Sequence, residues 1–530
     1  MSGEESNDEF EGNQKLLDDD FSEDDNYDRE DDEQEPESDY DIGGYHPVNL
    51  GDVFDSRYYT LRKLGWGHFA TVWLSFDTQS QQFAAIKIPK SRQDFIEASR
   101  DELDILQVIR NGDERHLGAK NVVQVLNEFE FFGVSKSLHL CMVFEVLGDN
   151  LLTLLRRFTM LNLNLVRVIS RQLLQGLSYL HDECQIIHTD IKPENVVLSL
   201  TASQLNNMAI EAFNARNWKR QPKNMVSTAP EEYRRKVSFC FDSFIVFGIV
   251  VVLISAYTAL TQVYDSQYTS GIPVKARKRI RRKTRKHRER LEAYLSGLDE
   301  HKEHNGNSGA ANGNNEGTLD AAAYNHISCF YEELQSGNRN ALNSVQVKIV
   351  DFGNACYVNH HYTEEIQTRE YRSPEAILGS AYCTSADIWS AACLIFELVS
   401  GDYLFYPEAN EDLDYDIDDD HVAKMIEVCG PIPNPLFRDG RRFYDIFDQR
   451  GRLQKIKSLT PTSITELLME IASLPGIEAR HMSEFLMPML AYDIHERASA
   501  SECLKSNWLE LHELRGTRPR RPPPLSSSST

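Results

Sequence analysis

The chain has little of what marks a disulfide-built, zinc-bound or nucleic-acid-binding protein. Its nine cysteines form no Cys-x-x-Cys pair and no cluster with histidine. That pattern excludes a disulfide frame or a zinc site and points to free thiols in a reducing compartment. The N-terminus has no apolar run, so no secretory signal is expected. Positive charge is scarce, with 56 Lys and Arg against 81 Asp and Glu, a net charge of −25. Residues 1–41 alone carry 20 acids and 2 bases, a local balance of −18. A run that dense repels itself and buries little, so residues 1–42 are expected to form a disordered tail. The acidity argues against direct binding of nucleic acid and favours cationic partners.

Hydrophobic residues make up 41% of the 530, enough for a sizeable core. They concentrate in two stretches, 43–200 and 345–511. Between them, 201–344 reads as an irregular and mostly disordered spacer, and 512–530 as a disordered Pro/Ser tail. In the first stretch, Tyr59–Leu64, Thr71–Phe76 and Gln82–Ile88 read as short strands. Helices are predicted near Asp94–Arg110, with Leu103, Leu106 and Ile109 on one face, and over about Val166–His181. Strands first and helices later imply an α+β fold with a small sheet lobe joined to a helical lobe.

Several motifs carry chemistry. Leu64–Val72 reads Leu-Gly-Trp-Gly-His-Phe-Ala-Thr-Val between two predicted strands; Gly65 and Gly67 let backbone approach phosphates without a Cβ in the way. Taken alone, such a loop is more often an ordinary hairpin turn. Lys87 ends the next strand, where it can bridge phosphates if an anion such as Glu102 holds it. The octet His188-Thr189-Asp190-Ile191-Lys192-Pro193-Glu194-Asn195 is far more specific. Asp190 fits the carboxylate that orients an attacking hydroxyl and accepts its proton, and Asn195 supplies a metal ligand. Lys192 can neutralise a transferring phosphoryl group. Asp351-Phe352-Gly353 follows an apparent strand, and Asp351 suits magnesium bridging the β- and γ-phosphates of ATP. Ser373-Pro374-Glu375 comes next in the required order. Glu375 is expected to pair with a buried Arg497, and Asp387-Ile388-Trp389 to open a core helix that anchors the catalytic loop.

With these motifs the chain resembles a bilobal eukaryotic protein kinase, and specifically the SR-protein kinase family, which phosphorylates splicing factors rich in Arg-Ser dipeptides. The resemblance covers about 43–200 and 345–511. It rests on Gly43-Gly44-Tyr45-His46-Pro47, Gly65-Trp66-Gly67-His68-Phe69, Met142–Gly148, His188-Thr189-Asp190, Asp351–Cys356 and Gly401–Phe405. It implies that Leu64, Gly65, Gly67, Val72 and Ala85 line an ATP site. It further implies that Phe144 guards the adenine pocket and Glu145–Leu147 form the hinge. Ala70, Phe352 and Pro374 depart from the family pattern without removing a catalytic group. Two alternatives stay open. One is a Clk-type (LAMMER) kinase, although its Glu-His-Leu-Ala-Met-Met-Glu-Arg string is absent. The other is a catalytically dead scaffold that binds basic proteins. The family implies Arg/Ser-rich protein substrates, a role in splicing control, and both cytoplasm and nucleus; a monomer is expected.

Gly401–Asp420 holds nine acids and no base. Most read as a solvated loop. By resemblance, Asp402, Asp420 and Glu427 line a docking groove for a basic substrate segment. Asp420 and Glu427, seven apart on a predicted helix, share a face. Lys275–Arg290 holds eleven Lys and Arg and reads equally as a nuclear-import or RNA patch or as a charged helix; a third use is as a pseudo-substrate for that groove. Phe239–Leu260 is long and apolar enough to span a bilayer. A single span would separate Asp190 from Asp351, so membrane insertion is not expected. The run reads either as a lipid- or partner-contacting segment or as translated intron, because Val237-Ser238 and Thr261-Gln262 can be encoded by splice-site-like sequence.

Overall fold

The computed structural model describes residues 35–40, 42–133, 137–217, 274–303, 319–433 and 436–511. The apolar run Phe239–Leu260 and the Pro/Ser tail lie outside the described residues. No helix among the described residues is long and apolar enough to cross a membrane.

The small lobe is built on a six-stranded antiparallel sheet in the order β1-β2-β3-β4-β6-β5. Its strands are β1 (Val53–Phe54), β2 (Tyr58–Gly67), β3 (Ala70–Asp77), β4 (Gln82–Pro89), β5 (Val125–Phe132) and β6 (Leu138–Phe144). Alternating β-branched and aromatic residues bury both sheet faces, with Trp73, Phe76 and Ile86 almost wholly enclosed. Gly67 pairs with Ala70, so His68 and Phe69 form a tight turn at the end of the β2–β3 hairpin. Helix α1 (Gln93–Asn111) starts with Asp94 in its first turn and packs Leu103, Leu106 and Ile109 inward, as their spacing predicts.

The larger lobe begins after β7 (Leu147–Asn150) with α2 (Leu151–Phe158) and α3 (Leu163–Ser178). Strands β8 (Ile186–Ile187), β9 (Val196–Ser199), β10 (Val347–Ile349) and β11 (Cys356–Tyr357) flank the catalytic residues, and β9 pairs with β10 across the spacer.

The spacer is not irregular where it is described. It contains α4 (Ala202–Asn217), α5 (Val274–Glu303), α6 (Leu319–Gln335) and α7 (Arg339–Ser344). Ala209, Ala212 and Phe213 of α4 and Leu291 and Leu295 of α5 join one core with Tyr59, Leu61, Leu74 and Phe76 of the small lobe. His287 Nδ1 meets Thr78 Oγ1 at 2.9 Å, and Tyr294 packs on Phe76. On the other lobe, Tyr331 of α6 donates to Asp149 Oδ2 at 2.9 Å. The basic run therefore lies on a helix docked to the small lobe, against the pseudo-substrate reading. Its sparse apolar face, His287, Leu291, Tyr294 and Leu295, was masked by the surrounding arginines and lysines. The acidic tail likewise stops earlier than expected. Glu37–Tyr40 form a short 3-10 turn, Tyr40 is fully buried, and Glu35 pairs with the buried Lys63.

Helices α8 (Pro374–Leu378), α9 (Ser385–Ser400), α10 (Ile417–Cys429), α11 (Phe443–Ile446), α12 (Ile464–Glu470), α13 (Gly476–Leu486) and α14 (Ala500–Cys503) complete the lobe. Every residue of α9 is buried, as befits a helix that is apolar nearly all round. Gly401 ends it in the left-handed conformation at φ 78°, with no room for a Cβ because Thr159 O would lie 2.5 Å away. Glu375 accepts two hydrogen bonds from Arg497, at 2.6 and 2.8 Å, and both side chains are fully enclosed. Breaking such a pair strands a charge in the core. Arg497→Leu is expected to cost about 3–5 kcal/mol. The double variant Glu375→Leu/Arg497→Leu should recover much of that in urea melts, and an R497L protein as stable as wild type would refute this role.

Candidate active site

The β2–β3 hairpin forms one wall of the interlobe cleft. A Cβ built on Gly65 or Gly67 would meet no protein atom within 4 Å, so the space over the loop is open to a ligand. Lys87 sits on β4, opposite Val72 and Met142. Its ammonium lies 2.7 and 2.8 Å from the two carboxylate oxygens of Glu102 on α1, and 3.9 Å from Asp351 Oδ1. Burial would favour losing its proton, but the charges of Glu102 and Asp351 win and raise the Lys87 pKa, so it stays an ammonium.

The cleft beneath has a volume of about 620 Å³. All the predicted nucleotide residues line it: Leu64, Gly65, Gly67, Val72, Ala85, Lys87, Phe144, Glu145 and Leu147. Glu145 pairs with Lys348 at 2.8 Å and accepts the Gln124 N–H at 3.2 Å, so its carboxylate braces the hinge.

The catalytic loop is held from below by one carboxylate. Asp387, in the first turn of α9 and fully buried, accepts the backbone N–H of His188 and that of Thr189, each at 2.8 Å. His181 Nε2 makes a third contact at 2.8 Å. Thr189, at φ 66°, donates its hydroxyl to Asn354 O at 2.8 Å and so ties this loop to the activation segment. His188 reaches Val350 O at 2.9 Å, and its ring packs edge-on against the buried Phe352.

These bonds aim Asp190 into the cleft. Its Oδ1 accepts the Thr368 hydroxyl at 2.7 Å, and its Oδ2 lies 3.1 Å from both Lys192 Nζ and Asn195 Nδ2. Lys192 also donates to Thr368 Oγ1 at 2.8 Å. Burial alone would raise the Asp190 pKa, yet the Lys192 charge and the Thr368 hydroxyl hold it below the ordinary value, so the carboxylate stays ionised. Asn195 directs its amide nitrogen at Asp190, which leaves the amide oxygen as its remaining polar group. Asp351, at φ 64°, presents a half-exposed carboxylate on the same cleft wall. Two oxygen donors beside an open phosphate site fit a hard divalent cation that completes its shell with phosphate and water.

Sequence reasoning missed how much the activation segment contributes. Gln367, at φ 71°, donates to Ala386 O and Ser390 Oγ at 2.8 Å each and accepts the Ser373 N–H at 2.9 Å. That buried amide fixes the segment to α9. Thr368 closes a triangle with Asp190 and Lys192. The available signal was proximity: Gln367-Thr368 lies just before Ser373-Pro374-Glu375.

The docking residues are placed less uniformly. Asp402 is exposed just after α9. Asp420 and Glu427 share α10, but both have internal partners. Asp420 accepts the Glu408 N–H at 2.8 Å and lies 3.3 Å from Lys424, while Glu427 accepts the Thr460 N–H at 2.7 Å. The Glu408 bond and a Phe405–His421 ring contact tie the loop that carries Asp402 to α10. The solvated-loop reading fails at the end of the run. Asp418, Asp419 and Asp420 are buried, Asp416 and Asp419 form the α10 capping box, and Asp418 pairs with Arg369 at 2.6 Å.

A protein kinase domain model matches residues 58–231 and 318–509, on both sides of the spacer. The chain is 35% identical over 522 residues to SRSF protein kinase 3 of Homo sapiens, covering 91% of each. It is 36% identical over 491 residues to Protein kinase dsk1 of Schizosaccharomyces pombe, covering 90% of this chain and 85% of that one. It is 35% identical over 563 residues to Serine/threonine-protein kinase spk-1 of Caenorhabditis elegans, but spans only about half (53%) of that longer protein.

Thr189 occupies the position before Asp190, where in many protein kinases an arginine reads a loop phosphate. Here it bonds the activation segment directly, and Gln367 supplies a second tether, so a phosphate on that segment has little to add. Bacterially made enzyme treated with phosphatase is expected to keep nearly full transfer activity. A loss of about tenfold or more, equivalent to about 1.4 kcal/mol of barrier, would show that some cation does read a loop phosphate.

Proposed function

The chain belongs to the SR-protein kinase family of protein kinases, and from that premise we propose that it moves the γ-phosphate of ATP, with Mg2+, onto serines flanked by arginine in Arg-Ser-rich proteins such as splicing factors. The observation that carries this is the closed Lys87–Glu102 pair with Asp351 3.9 Å from Lys87 and Asn195 on the same cleft wall, and Asn195 bonded at 3.1 Å to an ionised Asp190. A catalytically dead scaffold would have no use for the whole set of these groups.

Each residue then has a defined task. Lys87 orients the α- and β-phosphates. Asp351 and Asn195 would hold the cation, which neutralises phosphate charge when bound. Asp190 orients the serine hydroxyl and accepts its proton as the serine oxygen bonds phosphorus and the bond to the ADP oxygen breaks. Lys192, between Asp190 and Thr368, stabilises charge on the phosphoryl group in flight. The acids near α10 suit guanidinium groups of the substrate by charge, and the contribution should weaken with salt.

Asp190→Ala is expected to abolish most phosphate transfer to an Arg-Ser peptide while leaving nucleotide binding largely intact. Asp351→Ala should lose metal-dependent nucleotide binding as well. Equal turnover by D190A and wild type would defeat the kinase reading.

Charge reversal at Asp402, Asp420 and Glu427 together should raise KM for a long Arg-Ser protein more than for a short peptide. The same KM ratio in variant and wild type would remove the docking role.

A further inference from the structure

The string Gly43-Gly44-Tyr45-His46-Pro47 has no task in the phosphoryl-transfer scheme, yet the structure places it against the active site. Of residues 35–40 and 42–48, Tyr45 reaches the glycine-rich loop at its tip. The Tyr45 hydroxyl donates to Gly67 O at 2.6 Å, and His68 O lies 3.4 Å away. Tyr45 is itself clamped. Its ring contacts buried Tyr40 at 5.7 Å, and Lys90 Nζ lies 4.5 Å from its centroid. Lys90 in turn reaches Asp39 Oδ2 at 2.8 Å, and its backbone N–H bonds Phe69 O at 2.8 Å. Gly43 O accepts the N–H groups of Ser91 and Arg92, immediately before α1. The loop tip completes the circuit, with the Phe69 ring packed edge-on against Phe95 in the first turn of α1.

A glycine-rich hairpin gains its use from a bare backbone and loses rigidity for the same reason. Its tip is exposed here, with Phe69 57% accessible. A loop free to swing must be ordered by the nucleotide, which weakens binding, whereas a loop already held lets more of the contact energy appear as affinity.

We propose that residues 39–40 and 42–48 form a strut that holds the glycine-rich loop in its nucleotide-binding position, with Tyr45 as the positioning residue. The strut fixes the loop to the β4–α1 junction, so the phosphate lid and the helix that carries Glu102 are set by one segment. Burial raises the Tyr45 pKa, which keeps the hydroxyl a donor at any ordinary pH.

This inference rests on the nucleotide-site reading above, and the test separates the two. Tyr45→Phe removes one hydroxyl and keeps the ring. With full-length protein, its Kd for a non-hydrolysable ATP analogue with Mg2+ should rise about fivefold, the scale of one hydrogen bond. KM for ATP should rise in parallel, KM for an Arg-Ser peptide should hold, and amide exchange at 65–70 should quicken. Asp39→Asn, which weakens the same strut through Lys90, should shift analogue binding in the same direction by less. Wild-type analogue affinity and unchanged exchange at 65–70 in both variants would overturn the proposal. So would a uniform loss of melting temperature, peptide affinity and nucleotide affinity, which would mark a merely structural role. A wild-type chain that binds no analogue would instead defeat the nucleotide-site reading.

Discussion

The active site hangs from the Asp387 carboxylate. A buried acid side chain is costly unless its oxygens are partnered, and here two backbone N–H groups and one imidazole partner them. Because Asp387 sits in the first turn of a helix with no exposed residue, the catalytic loop inherits the rigidity of the large-lobe core. Asp190 follows two residues later, with little freedom to miss its target. The same loop passes that rigidity on through Thr189 to Asn354.

The small lobe is organised by a different means. Its functional groups, the glycine-rich loop and Lys87, lie on a hairpin and a strand that could move relative to α1. The Lys87–Glu102 pair links strand to helix, residues 39–40 and 42–45 link loop to helix, and α4 and α5 pack on the sheet face that also carries Val72 and Ala85. Net acidity has a second use beyond attracting basic partners: Asp416, Asp418 and Asp419 cap a helix and pair with Arg369 and Lys455.

Legibility in the sequence tracked chemistry more than length. The octet around Asp190, Asp351-Phe352-Gly353 and the Glu375–Arg497 pair could be read because phosphoryl transfer and its buried supports demand those residue types in order. The strands Tyr58–Gly67 and Ala70–Asp77 and helix Gln93–Asn111 followed from apolar periodicity, with ends shifted by a few residues. The helix Val274–Glu303 did not, because four inward residues in a helix with twelve cations leave almost no apolar signal. Gln367 was invisible for another reason. Its importance lies in an amide bonded to Ala386, Ser390 and Ser373, contacts that only the folded chain creates.

The claim that one carboxylate sets the catalytic geometry is most directly tested by single-turnover phosphate transfer with Asp387→Asn. The amide keeps the size of the side chain but turns one acceptor into a donor facing backbone N–H groups. Transfer is predicted to slow by about 100-fold, the scale of a misplaced catalytic group, with ATP affinity little altered. Transfer at the wild-type rate in D387N would contradict the account.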